Sequence, residues 1–283
     1  MNSRKKEFFA VRIILSEMAF ACALGAAPSR ATAAAETIDG REALIHVPAK
    51  LPARGKRALV LVLHGGMGNA SRIEGGRSES GLRLDDVADK DGFLVAYLNG
   101  TPVTRRFGPD MLGWNAGGGC CGVPAQENVD DVGYVRAAVG RLIEEYGVDP
   151  ARVYGLGHSN GAMMAERLMC EADVFAAVVA VSGPLNLDVD RCLTAKGKRV
   201  LSIHGAEDKN VPIEGGQGSV GLSRATYKSE ARTRKVYADS GADFRLLIVA
   251  GAEHKLDDVD AKLRASEGVS LAEKSALFFG LAK

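Results

Sequence analysis

An α/β fold, with a mostly parallel central sheet and helices on both faces, is what this 283-residue sequence predicts. Two observations carry the prediction. From residue 41 onward, short apolar runs alternate with stretches whose apolar residues recur at three- and four-residue spacing, and glycine-rich or polar turns separate the two. Composition permits a full core, since hydrophobic residues make up 46% of the chain and charged residues 25%. A formal net charge of +1 asks for neither nucleic acid nor an anionic membrane surface, so a small or neutral partner is expected.

The first element is a leader. Arg4, Lys5 and Lys6 precede a mainly apolar run, broken by Arg12 and Glu17 and clean over 18–27, which ends in Ala31-Thr32-Ala33. That is the pattern of an export signal cut after Ala33, and it predicts a periplasmic or secreted protein. Removing residues 1–33 takes away five basic and two acidic side chains and leaves 250 residues of net charge −2. No later run reaches the roughly 20 apolar residues of a membrane span.

His46 falls in a first strand region. Residues 57–63, RALVLVL, form an unbroken apolar run, the pattern of a strand covered on both faces, and His64-Gly65-Gly66 follow it. A short helix is expected over 82–90 and a strand over 93–98. Residues 99–128 show no periodicity and hold the single tryptophan, Trp114, with Cys120 and Cys121; so long a loop inside a compact domain is functional or cross-linked. Val132, Val135, Val139, Leu142, Ile143 and Tyr146 share one face of a helix over 130–146, which Gly147 ends and Pro150 bars from continuing. A strand over 152–156 leads to a helix through Met163, Met164 and Leu168. Strands over 177–181, 199–204 and 245–249 and a helix over 271–281 complete the chain. No repeat or linker interrupts it, so residues 34–283 read as one domain.

Of five cysteines, Cys22 lies in the leader. Cys120, Cys121, Cys170 and Cys192 remain, an even number that closes as two disulfides in an oxidising compartment, with three pairings open. Adjacent Cys120 and Cys121 are expected to reach distant partners, because bridge geometry is hard to meet across one peptide. The two-residue Cys spacings of zinc sites do not occur, so no metal is expected.

Chemistry centres on VYGLGHSNGAMM, residues 153–164. Within it Gly157-His158-Ser159-Asn160-Gly161 fits G-x-S-x-G between a strand and a helix, where the sharp turn crowds the backbone and exposes the serine hydroxyl at a helix N-terminus. The same five residues without that context would be a plain tight turn. A hydroxyl needs a base to take its proton and an acid to orient the base, expected downstream in the order acid, then histidine. Asp208 follows the strand over 199–204 and His254 follows the strand over 245–249, each at the strand's C-terminal end. Glu207 is the rival acid. The other histidines have structural readings: His46 in a strand, His64 shaping a loop, His158 inside the elbow and His204 as a satisfied strand-end residue. Backbone N–H groups of Gly66, in the loop after the early strand, and of Asn160, after the serine, are the expected oxyanion donors. Such a site needs no metal or organic cofactor.

LVLHGG (61–66), GWNAGGGCCG (113–122), VDDVGYVRAAV (129–139), DPARVYGLGHSNGAMM (149–164) and HGAEDKNVPIEGG (204–216) together resemble the polyhydroxybutyrate depolymerase and feruloyl esterase-like α/β-hydrolases, among them small secreted esterases. The Trp-Asn and Cys-Cys ahead of Val-Asp-Asp-Val-Gly are far more specific than G-x-S-x-G. The resemblance implies an ester hydrolase using Ser159, Asp208 and His254 on a small or oligomeric ester, such as hydroxyalkanoate oligomers or feruloyl and acetyl esters. It also implies a place for Trp114 near the substrate entrance, with a core position the alternative that the residue itself leaves open. Two departures bear on substrate: Lys255-Leu256-Asp257-Asp258 stand after His254 where an aromatic and a proline are common, and Ile213 replaces a common aromatic. A serine peptidase of the same fold and a non-catalytic binding protein on a hydrolase scaffold are the alternatives.

Overall fold

The chain forms β1 (Ala34–Ile38), β2 (Arg41–His46), β3 (Arg57–Leu63), α1 (Ala70–Glu74), α2 (Leu84–Asp91), β4 (Leu94–Leu98), β5 (Thr101–Pro102), β6 (Leu112–Gly113), α3 (Val123–Gln126) and α4 (Asp131–Tyr146). There follow β7 (Val148–His158), α5 (Asn160–Glu171), β8 (Ala177–Val181), β9 (Arg199–Gly205), β10 (Gly216–Gln217), β11 (Thr226–Tyr227), α6 (Glu230–Ser240), β12 (Asp243–Val249), α7 (Leu256–Glu267) and α8 (Leu271–Phe279). This computed structural model describes residues 33–282 apart from 76–80, 105, 107–109 and 222. The expected leader and Cys22 lie outside the described residues.

Eight strands form one sheet in the order β1-β2-β4-β3-β7-β8-β9-β12. The β1–β2 and β2–β4 pairs are antiparallel, and every pair from β4 to β12 is parallel. The expected mostly parallel sheet with helices on both faces is therefore present. The unbroken apolar run of β3 is explained by two cores. Leu59, Leu61 and Leu63 face one with Trp114, Val135 and Met163, whereas Val60 and Val62 face the other with Leu84, Tyr97 and Phe279. Successive side chains of a strand point to opposite faces, so a central strand covered on both must be apolar throughout. Each fully buried aliphatic side chain contributes about 1.5–3 kcal/mol.

The short α1 and α3 and the longer α6 and α7 escape the sequence pattern. In α6 (EARTRKVYADS) the buried apolar side chains are Val236 and Tyr237, and in α7 (LDDVDAKLRASE) they are Leu256, Val259 and Leu263. Charged residues crowd the rest of each helix and mask so narrow a stripe.

The expectation for Cys120 and Cys121 is overturned. They are bonded to each other, and Cys170 is bonded to Cys192. Glycines on both sides of the adjacent pair adopt left-handed backbone, with φ of +75° at Gly119 and +83° at Gly122, so the chain curls tightly enough for neighbouring side chains to meet. Cys170 near the end of α5 and Cys192 in the loop before β9 have Cα atoms 4.3 Å apart, leaving no distant cysteine among the described residues for either member of the pair.

Candidate active site

Four loops at the C-terminal ends of β3, β7, β9 and β12 bring the sequence-selected residues together, at the edge where parallel sheets build their sites. Ser159 lies between β7 and α5 with φ +55° and ψ −119°, a conformation uncommon for a non-glycine residue. Its N–H donates to the Val181 carbonyl (2.8 Å) and its carbonyl accepts from Met163 (3.0 Å), which hold the turn from both sides. The flanking glycines are required by contact: a β-carbon at Gly157 would overlap the Gly161 carbonyl, and one at Gly161 would overlap the Leu63 and His64 carbonyls.

His254 Nε2 is 2.9 Å from Ser159 Oγ, and His254 Nδ1 is 2.7 Å from Asp208 Oδ2. The Asp208 carboxylate accepts Nδ1–H, which leaves Nε2 with the free lone pair facing the hydroxyl. Asp208 is itself fixed, because Oδ1 accepts from the backbone of Asn210 (2.9 Å) and Val211 (2.8 Å). Burial would raise its pKa, yet hydrogen bonds from His204 and His254 outweigh that and hold the carboxyl well below the usual range. Glu207, the rival acid, is exposed.

The remaining histidines divide by their partners. His46 is buried and bonds Asp89 at 2.8 Å. His64 donates Nδ1–H to the Gly65 carbonyl (2.8 Å) and accepts the Gly100 N–H at Nε2 (3.0 Å), the pairing of a neutral ring. Burial, with a smaller push from Arg72, lowers its pKa to about 4. His158 turns away from Ser159 and donates Nε2–H to the His254 carbonyl at 2.9 Å; burial and then the charge of His254 lower it to about 4.

Neither the Gly66 nor the Asn160 backbone N–H has a protein acceptor among the described residues. The Asn160 side chain is buried, with Oδ1 accepting the Trp114 N–H (2.7 Å) and Nδ2 donating to the Trp114 carbonyl (3.1 Å). Trp114 is not at an entrance. Its ring is fully buried, stacks on Tyr134 and donates Nε1–H to the His64 carbonyl at 2.9 Å, because the loop around it folds inward beneath the site.

Ser159 and His254 open into a cavity of about 900 Å³. Met67, Val103, Met111, the Cys120–Cys121 pair, Tyr227 and Leu256 supply apolar walls, while Arg72, Gln126 and Arg224 supply polar ones. Sequence reasoning anticipated the loop over 99–128 with its cysteine pair and the segment after His254 that holds Leu256, but not Met67, Arg72, Arg224 or Tyr227. Among the described residues no group of three His, Cys, Asp or Glu side chains is placed to hold a metal ion, and no helix is long and apolar enough to cross a membrane.

Sheet order and the strand–serine–helix turn, with the acid and histidine after later strands, are those of the α/β-hydrolase fold. The sequence profile of the prolyl oligopeptidase family matches residues 124–196. The chain is 36% identical over 160 residues to a putative esterase, NocK, of Nocardia uniformis subsp. tsuyamanensis, covering 56% of this chain and 42% of that protein. It is 34% identical over 142 residues to a feruloyl esterase B of Neurospora crassa, covering 49% and 42%. A poly(3-hydroxybutyrate) depolymerase of Ralstonia pickettii is 31% identical over 168 residues, covering 56% and 33%. The chain thus spans less than half the length of each of these relatives. Among solved structures, esterase PE8 superposes with a TM-score of 0.54 at 22% identity, over 79% of this chain and 99% of that one, a likeness of fold.

Proposed function

We propose that this protein is an exported serine carboxylic-ester hydrolase, working as a single catalytic domain over residues 34–283. Ser159 attacks the ester carbonyl while His254 accepts its proton, and Asp208 orients the imidazole and stabilises its charged form. The alcohol leaves with the proton from His254. Water then attacks the acyl-enzyme by the same route and releases the acid. The Gly66 and Asn160 N–H groups are the donors for the oxyanion formed in each half, and no metal or organic cofactor enters the scheme.

The observation that carries this reading is the continuous line from Asp208 through His254 to Ser159 at the mouth of the cavity. The esterase and depolymerase relatives support a small or oligomeric ester, with hydroxyalkanoate oligomers and feruloyl or acetyl esters the classes to try. A peptidase is the second reading, because the prolyl oligopeptidase profile matches the segment that contains Ser159.

The test is hydrolysis of short aryl esters, methyl ferulate, hydroxybutyrate oligomers and peptidyl anilides by the purified protein and by Ser159→Ala. Ester cleavage that vanishes in the variant is expected. Equal rates in both proteins, or none on any ester, would reject the reading; faster anilide than ester cleavage would favour the peptidase.

A further inference from the structure

We propose that His204, on β9, is a permanent imidazolium which, with Glu230 on α6, positions Asp208 and sets the acid limb of the reaction's pH profile. The claim about pH rests on the ester-hydrolase reading; the claim about charge does not.

Both ring nitrogens of His204 face acceptors. Nδ1 lies 2.9 Å from Glu230 Oε1, and Nε2 lies 2.9 Å from the Val211 carbonyl oxygen and 3.4 Å from Asp208 Oδ2. Against an ionised Glu230, a neutral imidazole with its single N–H would set a bare ring lone pair against an oxygen lone pair at one of these positions. In a site with no exposure to water, nothing would relieve that repulsion. The doubly protonated ring satisfies both.

The surrounding groups are arranged to hold this charge. Glu230 Oε1 also accepts from Ser202 Oγ (2.8 Å), which aims the carboxylate at the ring. From α5, Glu166 contributes a fully buried carboxyl with no hydrogen-bond partner among the described residues, and burial followed by Glu230 pushes its pKa well above the usual range. It is therefore neutral and does not compete. Tyr237, also on α6, is pushed up by burial and stays neutral too. Burial alone would push His204 down, but hydrogen bonds to Asp208 and Glu230 outweigh it and raise the ring to about 10.

One cation thus sits between two carboxylates, one of which orients His254. Partial neutralisation of Asp208 from behind reduces the negative charge that His254 faces, so the charge on His204 bears on proton uptake by the base. Fixing Asp208 Oδ2 between two rings also limits its rotation. His204 and Glu230 touch no substrate and are positioning residues.

Nitrogen-15 NMR of the histidine rings in the intact protein reads the charge without turnover. We expect His204 to keep imidazolium shifts and two slowly exchanging N–H protons from pH 5.5 to 8.5, and a single N–H at pH 7 would overturn the assignment. For the second claim, His204→Gln removes the cation and should move the acid limb of kcat/KM up by about one pH unit. Glu230→Gln keeps an acceptor on Nδ1, removes the counter-charge and should move the limb down. A limb unmoved in whichever variant folds would overturn positioning. Absence of all ester hydrolysis would reject the catalytic reading while leaving the ring-charge result to stand.

Discussion

His158, the residue before the serine, donates its Nε2–H to the backbone carbonyl of His254 at 2.9 Å. The elbow therefore grips the loop that carries the group facing its own hydroxyl. His158→Ala should lower kcat about 100-fold through displacement of His254, with a smaller change in KM. His158→Gln, which still offers an N–H, should recover most of the loss. Steady-state kinetics on an aryl ester would check both.

Acid tolerance should be limited by two rings rather than by the carboxylate. His64 and His158 are buried and their pKa values are lowered to about 4. Between that value and the unfolded value near 6.5 the unfolded chain binds more protons, so stability falls as pH drops through this window. Urea unfolding of Glu166→Gln, which removes an opposing proton, should show a falling midpoint at pH 6, 5 and 4, and a flat profile would contradict the neutral-ring assignment.

Glu166 gives the opposite dependence. Its folded pKa is raised by burial, so the native state holds a proton that the unfolded chain releases above about pH 4.5, and stability contributed by this group falls as pH rises. Glu166→Gln should remove that slope and leave a protein more stable than the parent at pH 8, as melting temperature would show. A less stable variant at pH 8 would mean the carboxylate is paired in the native state.

Packing at the elbow predicts an intolerant position. A methyl group at Gly161 has no room against the Leu63 and His64 carbonyls, both backbone atoms that cannot swing away. Gly161→Ala should yield insoluble protein or destroy ester hydrolysis. Gly140 on α4 has open space beside it, so Gly140→Ala should be neutral or stabilising by up to about 1 kcal/mol.

Beneath the site, Trp114→Phe should keep the stacking on Tyr134 but leave the His64 carbonyl without its indole donor. An unsatisfied buried acceptor costs about 1–3 kcal/mol, measurable by chemical denaturation.

Much of this arrangement is written in local pattern. The strand over 57–63 and the strand over 177–181 are continuous apolar runs whose ends coincide with the observed β3 and β8. Ser159, Asp208 and His254 could be selected together because each follows such a run, and in the structure His254 lies within hydrogen-bonding reach of both Ser159 and Asp208. What pattern could not supply is which side chains meet in the fold. The pairing of Glu230 with His204 links a charged, weakly patterned helix to a strand end. Trp114 went to the core because Asn160 and His64 offered its polar groups partners there. The Cys120–Cys121 bond depends on the curl of a glycine-rich turn that no spacing rule describes.

Asn160 pairs with Trp114 through both halves of its amide, imitating the reciprocal hydrogen bonds of a strand neighbour. Anyone transplanting a different cavity wall from another hydrolase into residues 99–128 inherits a docking requirement. The new segment must present one backbone N–H and one carbonyl to this amide at the spacing of a single residue, or the graft will hang loose from the reactive centre. Asn160 is in that sense an adapter, and loop libraries for altering specificity should be filtered first on whether they can plug into it.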